Sequence, residues 1–235
     1  MATNEQLITA VRNNNFEKVK SIINSGINPK DGITTGGSMI DTNTITTELA
    51  LPCATSLGYY DIAELLIRNG AQVDESDTPV PKNPRYPIVE AVKNGHIEIV
   101  KLLIRYGANY KVKDNDFKPL VEIAKNFNHQ EIIELLDNIE NHNTKMVDAV
   151  KSNNLEMVKE YHGKGASYNA KINGQKLFKY AKENNFEKIY EYFLSYGAGT
   201  KTKTGCLQGC LSYIWLIIVI TIILLVLGLI GVLSK

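Results

Sequence analysis

The chain has 235 residues, which is enough for one large domain or for a domain with an appendage. Residues 1–204 carry 25 Lys and Arg and 25 Asp and Glu, so this part is neutral. A neutral body with interspersed charges lacks the field that follows a phosphate backbone, which argues against nucleic acid as a partner. The three cysteines are too few for a disulfide framework, and the start lacks a secretory signal. A cytosolic body is expected.

A unit of two short helices recurs from about residue 5 to residue 200. Its marks are a small residue in the first helix, two apolar residues in the second and a glycine after it. In chain order they are Ala10, Phe16, Val19 and Gly26; Ala54, Tyr60, Ala63 and Gly70; Ala91, Ile97, Val100 and Gly107; and Ala149, Leu155, Val158 and Gly165. A last unit runs from Phe178 through Phe186 and Ile189 to Gly197, with one extra residue in its second helix. Between the third and the last two of these, a unit with Pro119, Leu120, Ala124 and His129 has one extra residue and no terminal glycine. We count six units.

The third unit, residues 86–116, is the most regular. Pro87 lies in the first turn of a short helix, which ends at Gly95. The second helix carries apolar residues on two faces, so it is expected to be packed on both sides. Its sequence, GHIEIVKLLIRYGAN, resembles the second helix of the ankyrin repeat, and the length of the unit agrees with the repeat's period of about 33 residues.

This resemblance implies an all-α fold, an ankyrin-repeat solenoid of about six helix-pair units at residues 5–200. One helix pair buries too little apolar surface to fold alone, so the units must stack. The excess residues lie in the segments between units, here called fingers, which are long after Gly26 and rich in proline after Gly70. Insertions of this kind often lie on the face that binds a partner.

Residues 211–233 form an uncharged, apolar segment of 23 residues. As a helix it would be about 34 Å long, against about 30 Å for the hydrocarbon core of a bilayer. Tyr213 and Trp215 lie at its upstream end, where aromatic rings prefer the membrane interface. The sequence therefore predicts a transmembrane helix that resembles a tail anchor, with the N-terminal domain in the cytosol and residues 201–210 as a juxtamembrane connector.

Cys206 and Cys210 lie in this connector and are candidates for S-palmitoylation; the alternative is two unmodified thiols.

The sequence offers no catalytic, cofactor or metal motif. His96 and His129 recur at one position of the repeat and are interpreted as structural. The glycine-rich segment at residues 32–38 lacks the lysine of a phosphate-binding loop, and neither paired CxxC motifs nor HExxH is present. We therefore expect no enzyme and no cofactor.

The leading hypothesis is a single-pass, membrane-anchored protein–protein interaction module facing the cytosol. By resemblance, ankyrin partners contact the finger tips and the concave surface that the first helices form. The predicted partner-binding residues are Asp74, Glu75 and Asp77 in the second finger, Lys111, Lys113, Asp114 and Asp116 in the third, and Tyr168 and Asn169 in the fifth.

Two other classes stay open. A structural protein could associate with itself through the membrane segment and have no specific soluble partner. A membrane enzyme or channel is disfavoured, because the single predicted span has no ionisable residue from which to build a relay or pore. The phrasing of the repeats and the abundance of Asn, Lys and Ile are similar to ankyrin proteins of giant viruses or intracellular bacteria, which would make the partner a host protein.

Overall fold

The computed structural model describes residues 2–31, 33–35, 46–74, 86–114 and 116–198. All of them fall within one compact unit that covers residues 1–201. The helices are α1 Asn4–Arg12, α2 Phe16–Asn24, α3 Ala50–Leu57, α4 Tyr60–Arg68, α5 Pro87–Lys93, α6 Ile97–Arg105, α7 Leu120–Asn126, α8 Gln130–Lys151, α9 Leu155–Gly163, α10 Leu177–Glu183 and α11 Glu187–Ser195. Two short antiparallel hairpins join β1 Ile33–Thr35 to β2 Thr46–Glu48 and β3 Lys171–Ile172 to β4 Gln175–Lys176.

The first four helix pairs stack in two rows. The first helices α1, α3, α5 and α7 pack against each other in sequence, while α2, α4, α6 and α8 form the second row. The second helices α4 and α6 are apolar on the sides that meet their neighbours, and residues such as Leu66 and Leu103 are fully buried there. The predicted helical fold is confirmed in part: the described residues are mostly helical and not all-α, because two fingers form short strand pairs.

Each pair of helices is joined by a turn that contains one residue in the left-handed region. In the third unit this residue is Gly95, where a Cβ would lie 2.7 Å from Cε1 of His129. In four of the described turns the residue is asparagine, which tolerates this conformation better than other non-glycine residues. The turn residues in chain order are Asn14, Gly58, Gly95, Asn128, Asn153 and Asn185.

Helix α8 departs from the predicted pattern. The sequence suggests that the fourth unit ends before the fifth begins, but α8 is continuous over 22 residues. Its first half is the second helix of the fourth unit, and its second half is the first helix of the fifth. No glycine terminates the fourth unit, and Ile139, Asn143 and Met146 carry the buried face across the junction.

The long helix separates two hydrophobic cores. One contains buried residues from Leu7 to Ile139, and the other contains buried residues from Met146 to Ala198. Tyr196, near the end of the sixth unit, packs against the first core. The last two units therefore fold back onto the first core instead of only extending the row. This contact is here called the return.

The residues at the C-terminal end of α6 make the contacts of this return. The carbonyl of Arg105 lies 3.0 Å from Nε2 of His162 in α9, and the carbonyl of Tyr106 accepts a hydrogen bond of 3.1 Å from the Tyr168 hydroxyl. The rings of Tyr106 and Tyr196 lie 5.2 Å apart, centroid to centroid. Carbonyls at a helix C-terminus have no partner within the helix, so these contacts satisfy groups that would otherwise need water.

Among the helices of the described ranges, none is both long and apolar enough to cross a membrane. The predicted span at residues 211–233 and the connector at residues 201–210 lie outside the described residues.

Candidate interaction site

The finger between α6 and α7 ends in a tight turn built by Asp114. Its backbone N–H donates to the carbonyl of Lys118 at 3.0 Å, and its carbonyl accepts from the N–H of Phe117 at the same distance. One carboxylate oxygen of Asp114 accepts hydrogen bonds of 2.9 Å from the N–H groups of Asp116 and Lys118. These bonds hold the backbone of Asp116, Phe117 and Lys118 against Asp114.

Phe117 projects from this turn and is 81% exposed. Its φ of +61° is in the left-handed region, which costs a residue with a Cβ about 1–2 kcal/mol. The exposed ring also forgoes the gain of burial. The turn thus holds a large aromatic side chain in solvent, in a conformation that the Asp114 hydrogen bonds support. Aromatic residues of this kind are enriched in protein interfaces.

The base of the same finger is fixed to α8. Lys111 pairs with Glu140 at 2.9 Å, and the Tyr110 hydroxyl donates to the same carboxylate at 2.9 Å. The hydrogen bond from Lys111 lowers the pKa of Glu140, whereas burial raises the pKa of Tyr110. The buried amide of Asn143 donates to the Tyr110 oxygen at 3.2 Å. The base of this finger is therefore bound to α8, the longest helix among the described residues.

Asp74 joins the second finger to the third. Its two carboxylate oxygens lie 2.9 and 3.1 Å from the N–H of Asn109, which donates to them. Burial raises the pKa of Asp74, and the hydrogen bond from Asn109 partly opposes this shift. Asp74 thus aligns neighbouring fingers, a role that is independent of any partner.

Tyr168 and Asn169 bind within the chain. The hydroxyl of Tyr168 donates to the Tyr106 carbonyl, and the amide of Asn169 donates to the Gly107 carbonyl at 2.9 Å. Burial raises the pKa of Tyr168, and the charge of Asp74 raises it further. Their predicted contact with a partner stays a prediction, but the structure gives both a role in the return of the fifth unit.

The predicted site residues are thus brought together only in part. Lys111, Lys113, Asp114 and Asp116 share the third finger with Phe117, which the sequence analysis missed. The available signal was an aromatic residue among the charged and polar residues 113–118 of this finger. Glu75, Asp77, Cys206 and Cys210 lie outside the described residues.

His162 is the most deeply buried titratable side chain near the return. Its Nδ1 lies 2.9 Å from the Tyr192 hydroxyl and its Nε2 lies 3.0 Å from the Arg105 carbonyl. A carbonyl only accepts, so Nε2 carries the hydrogen and Nδ1 accepts from Tyr192. Burial lowers the pKa of His162 to about 4. Both nitrogens are occupied inside the protein, which makes this histidine structural.

His96 and His129 make the same contact in successive units. Nε2 of His96 lies 3.1 Å from the Ser56 carbonyl, and Nε2 of His129 lies 3.1 Å from the Lys93 carbonyl. Each histidine reaches from the start of a second helix to the preceding unit, which confirms the predicted structural role. The described residues contain no group of three or more His, Cys, Asp or Glu side chains arranged to hold a metal ion.

Residues 51–146 match the family profile described as ankyrin repeats in three copies. The chain therefore contains ankyrin repeats, and this fold serves in general as a non-catalytic surface for protein–protein interaction.

Three relatives are similar to part of the chain. A protein of Arabidopsis thaliana named as an E3 ubiquitin-protein ligase is 31% identical over 133 residues, which are 57% of this chain and 32% of that protein. An ankyrin repeat protein of Acanthamoeba polyphaga mimivirus is 34% identical over 89 residues, 38% of this chain and 11% of that protein. An ankyrin repeat protein of Rickettsia felis is 36% identical over 78 residues, 33% of this chain and 39% of that protein.

The chain thus spans at most 39% of the length of these relatives. The predicted resemblance to ankyrin proteins of giant viruses or intracellular bacteria is confirmed at the level of the repeats, by the relatives from a mimivirus and from Rickettsia felis.

Proposed function

We propose that this protein is an interaction module that captures a protein partner with the tip of its third finger while a membrane anchor holds it at the cytosolic face of a bilayer. The observation that carries the first half is Phe117, an 81% exposed aromatic side chain on a turn fixed by Asp114. A rigid aromatic anchor loses little conformational entropy on binding, so it contributes strongly to affinity.

The charges beside Phe117 define the chemistry of the partner. Lys113, Asp116 and Lys118 are close to Phe117 in the sequence, and Nζ of Lys118 lies 3.9 Å from a carboxylate oxygen of Asp116. An apolar pocket with a rim of mixed charge would complement this tip. The similarity to ankyrin repeat proteins of a mimivirus and of Rickettsia felis supports a host protein as the partner.

The anchoring half is supported by the sequence of residues 211–233, which is uncharged over a length sufficient to cross a bilayer. Lys201 and Lys203 precede it, as the positive-inside rule expects on the cytosolic side. Palmitoylation of Cys206 and Cys210 would strengthen the attachment. Anchoring raises the local concentration of the module, so even a weak contact at the finger tip becomes effective.

The test compares two exposed phenylalanines in the full chain inside its own cell. Proximity labelling from a biotin ligase at the N-terminus would be carried out with Phe117→Ala and with the matched control Phe127→Ala, since Phe127 is 53% exposed at the end of α7. We expect Phe117→Ala to lower the labelling of the partner by about tenfold, the effect of losing an interface anchor. The control should keep that labelling.

Equal labelling by the two variants would contradict the role of Phe117. Crosslinks that join only copies of this chain would favour the alternative, a self-associating structural protein. The anchor is tested separately by alkaline carbonate extraction, in which the full chain should stay with the membrane and a chain without residues 205–235 should be released. Retention of the shortened chain after a salt wash would contradict the anchor.

A further inference from the structure

The sixth unit differs in charge from the rest of the chain. Residues 1–170 contain 18 Lys and Arg against 22 Asp and Glu, whereas residues 171–188 contain five lysines against two glutamates. The basic charge of an otherwise slightly acidic chain is thus concentrated at the end of the repeat domain.

Two of these lysines face each other across a hairpin. Lys171 in β3 and Lys176 in β4 are partners in the antiparallel register, and both are exposed. The two-residue turn Asn173–Gly174, with φ of +49° and +82°, holds the strands together. Directly opposite side chains lie on the same face with Cβ atoms about 5 Å apart, and like charges there are destabilising.

Helix α10 continues the same surface. Lys176 is the residue directly before this helix, and Lys179 and Lys182 follow at spacings of three residues. At about 100° per residue these three positions span roughly 120° of the helix. The buried residues Leu177 and Ala181 lie on the opposite side. Lys171, Lys176, Lys179 and Lys182, here called the lysine face, therefore point away from the core.

The lysine face is not neutralised within the described part of the protein. No described carboxylate lies within 4 Å of these four ammonium groups, whereas Lys101, Lys159 and Lys164 each pair with a glutamate at 2.6–2.9 Å. Glu183, the acidic residue of α10, accepts a hydrogen bond from the amide of Gln175 instead. Lys182 lies over the ring of Tyr190, 5.7 Å from its centroid.

We propose that the lysine face docks on anionic lipid headgroups of the bilayer to which the chain is anchored; this inference rests on the proposed membrane anchor. The 12 residues from 199 to 210 separate the last described residue from the proposed span. Fully extended they reach at most about 43 Å, so the sixth unit is confined near the surface.

The residue types favour a charged surface over a shaped anion site. All four cations are lysines, and residues 171–188 contain no arginine, the residue that binds one phosphate in a bidentate manner. An anionic leaflet attracts lysines through their number, with about a fivefold gain in binding for each one near the surface. The repulsion between Lys171 and Lys176 would be relieved by the same headgroups.

The test uses the full chain in nanodiscs of phosphatidylcholine alone or enriched in phosphatidylserine. Hydrogen exchange of residues 171–183 should be slower in the phosphatidylserine discs, and high salt should remove the difference. The triple variant Lys171→Gln, Lys176→Gln, Lys179→Gln should weaken docking by about a hundredfold. The control Lys18→Gln, Lys20→Gln, Lys30→Gln removes three exposed lysines from the first unit and should keep the protection.

Equal exchange in the two kinds of disc, or an equal loss in the control variant, would overturn the proposal. Carbonate extraction from the same lipids separates this result from a failure of the anchor. A chain that resists extraction but shows no dependence on phosphatidylserine keeps the anchor and loses the lysine face. If the chain is extracted from both lipids, flotation with added phosphatidylserine vesicles tests the face alone. Salt-sensitive flotation that the triple variant abolishes would support it, and no flotation would overturn it.

Discussion

His162 occupies a position at which four of the other units bury an apolar side chain. Ile23, Ile67, Ile104 and Phe193 lie at the corresponding place near the end of a second helix, and all are buried. A histidine is tolerated here because Tyr192 and the Arg105 carbonyl satisfy both of its nitrogens. Burial of a polar group is costly only when its hydrogen bonds are lost.

Stability should fall in acid because of His162. Its pKa in the folded protein is about 4, against about 6.5 for an unperturbed histidine, so the unfolded chain binds the proton more readily. The contribution of His162 is fully present above about pH 6.5 and is lost as the pH falls towards about 4. The difference between a pKa of about 6.5 and one of about 4 corresponds to about 3 kcal/mol of unfolding free energy.

Urea unfolding at about pH 7 and about pH 4.5, for the natural protein and for His162→Gln, measures this dependence. The variant should lose less stability between the two pH values. Burial also lowers the pKa of His142, which acts in the same direction but is present in both proteins. An unchanged pH dependence in the variant would contradict the assignment to His162.

A histidine's role could be predicted from the sequence only where the histidine recurs at the same position of the repeat. His96 and His129 occupy one repeat position and each contacts the unit before it, so the pattern alone indicates their structural role. One of the two partners of His162 is the carbonyl of Arg105, which lies 57 residues earlier and outside the neighbouring unit. No periodic pattern connects these two positions. Phe117 was missed for a related reason, since nothing in its spacing distinguishes an exposed aromatic residue from a buried one.

At the level of elements, the six helix pairs follow from the sequence, but the continuity of α8 does not. Polar residues between Leu136 and Met146 resemble a finger in composition. However, Ile139 and Asn143 keep the helical spacing of the buried face, and Asn143 accepts a hydrogen bond of 2.8 Å from the Ser167 N–H. A buried polar residue thus links the two halves of the helix to the fifth finger.

A proline in the middle of α8 should separate the two halves. Asn141 is exposed within the helix, so Asn141→Pro removes a backbone hydrogen bond without removing a buried side chain. We expect a loss of about 3 kcal/mol or more, with faster hydrogen exchange in residues 146–198 than in the first core. The matched variant Asn141→Ala should be neutral or slightly stabilising. Unaltered exchange in the proline variant would show that the two units do not depend on a continuous helix.

For the whole molecule, the number of units could be predicted but not the path of the last two. In a simple row each unit contacts only its neighbours, so stability is a sum of adjacent interfaces. Here the side chains of Tyr168, Asn169 and Tyr196 reach the end of α6 across a longer distance. In the sequence these three residues look like finger or surface positions, which is why two of them were predicted to bind a partner.

The pair Tyr106 and Tyr196 tests this return directly. One belongs to the third unit and the other to the sixth, so a row without the return would leave them uncoupled. Their rings lie 5.2 Å apart, and such aromatic pairs contribute about 0.5–1.5 kcal/mol beyond buried area. The buried hydroxyl of Tyr106 has no hydrogen-bond partner, so its removal leaves no group unsatisfied.

A double-mutant cycle with Tyr106→Leu and Tyr196→Leu should therefore give a coupling of about 1 kcal/mol in the free energy of unfolding. The control cycle combines Tyr106→Leu with Tyr180→Leu. The ring of Tyr180 lies 6.4 Å from Phe186 within the sixth unit, so this cycle should give no coupling. The effect of Tyr196→Leu on Tyr192 appears in the single variant and cancels in the cycle. If the losses of unfolding free energy in the first cycle were additive, the sixth unit would not be stabilised by its contact with the third. The hydrogen bonds of Tyr168 and Asn169 to the end of α6 would then lack the support of the sixth unit.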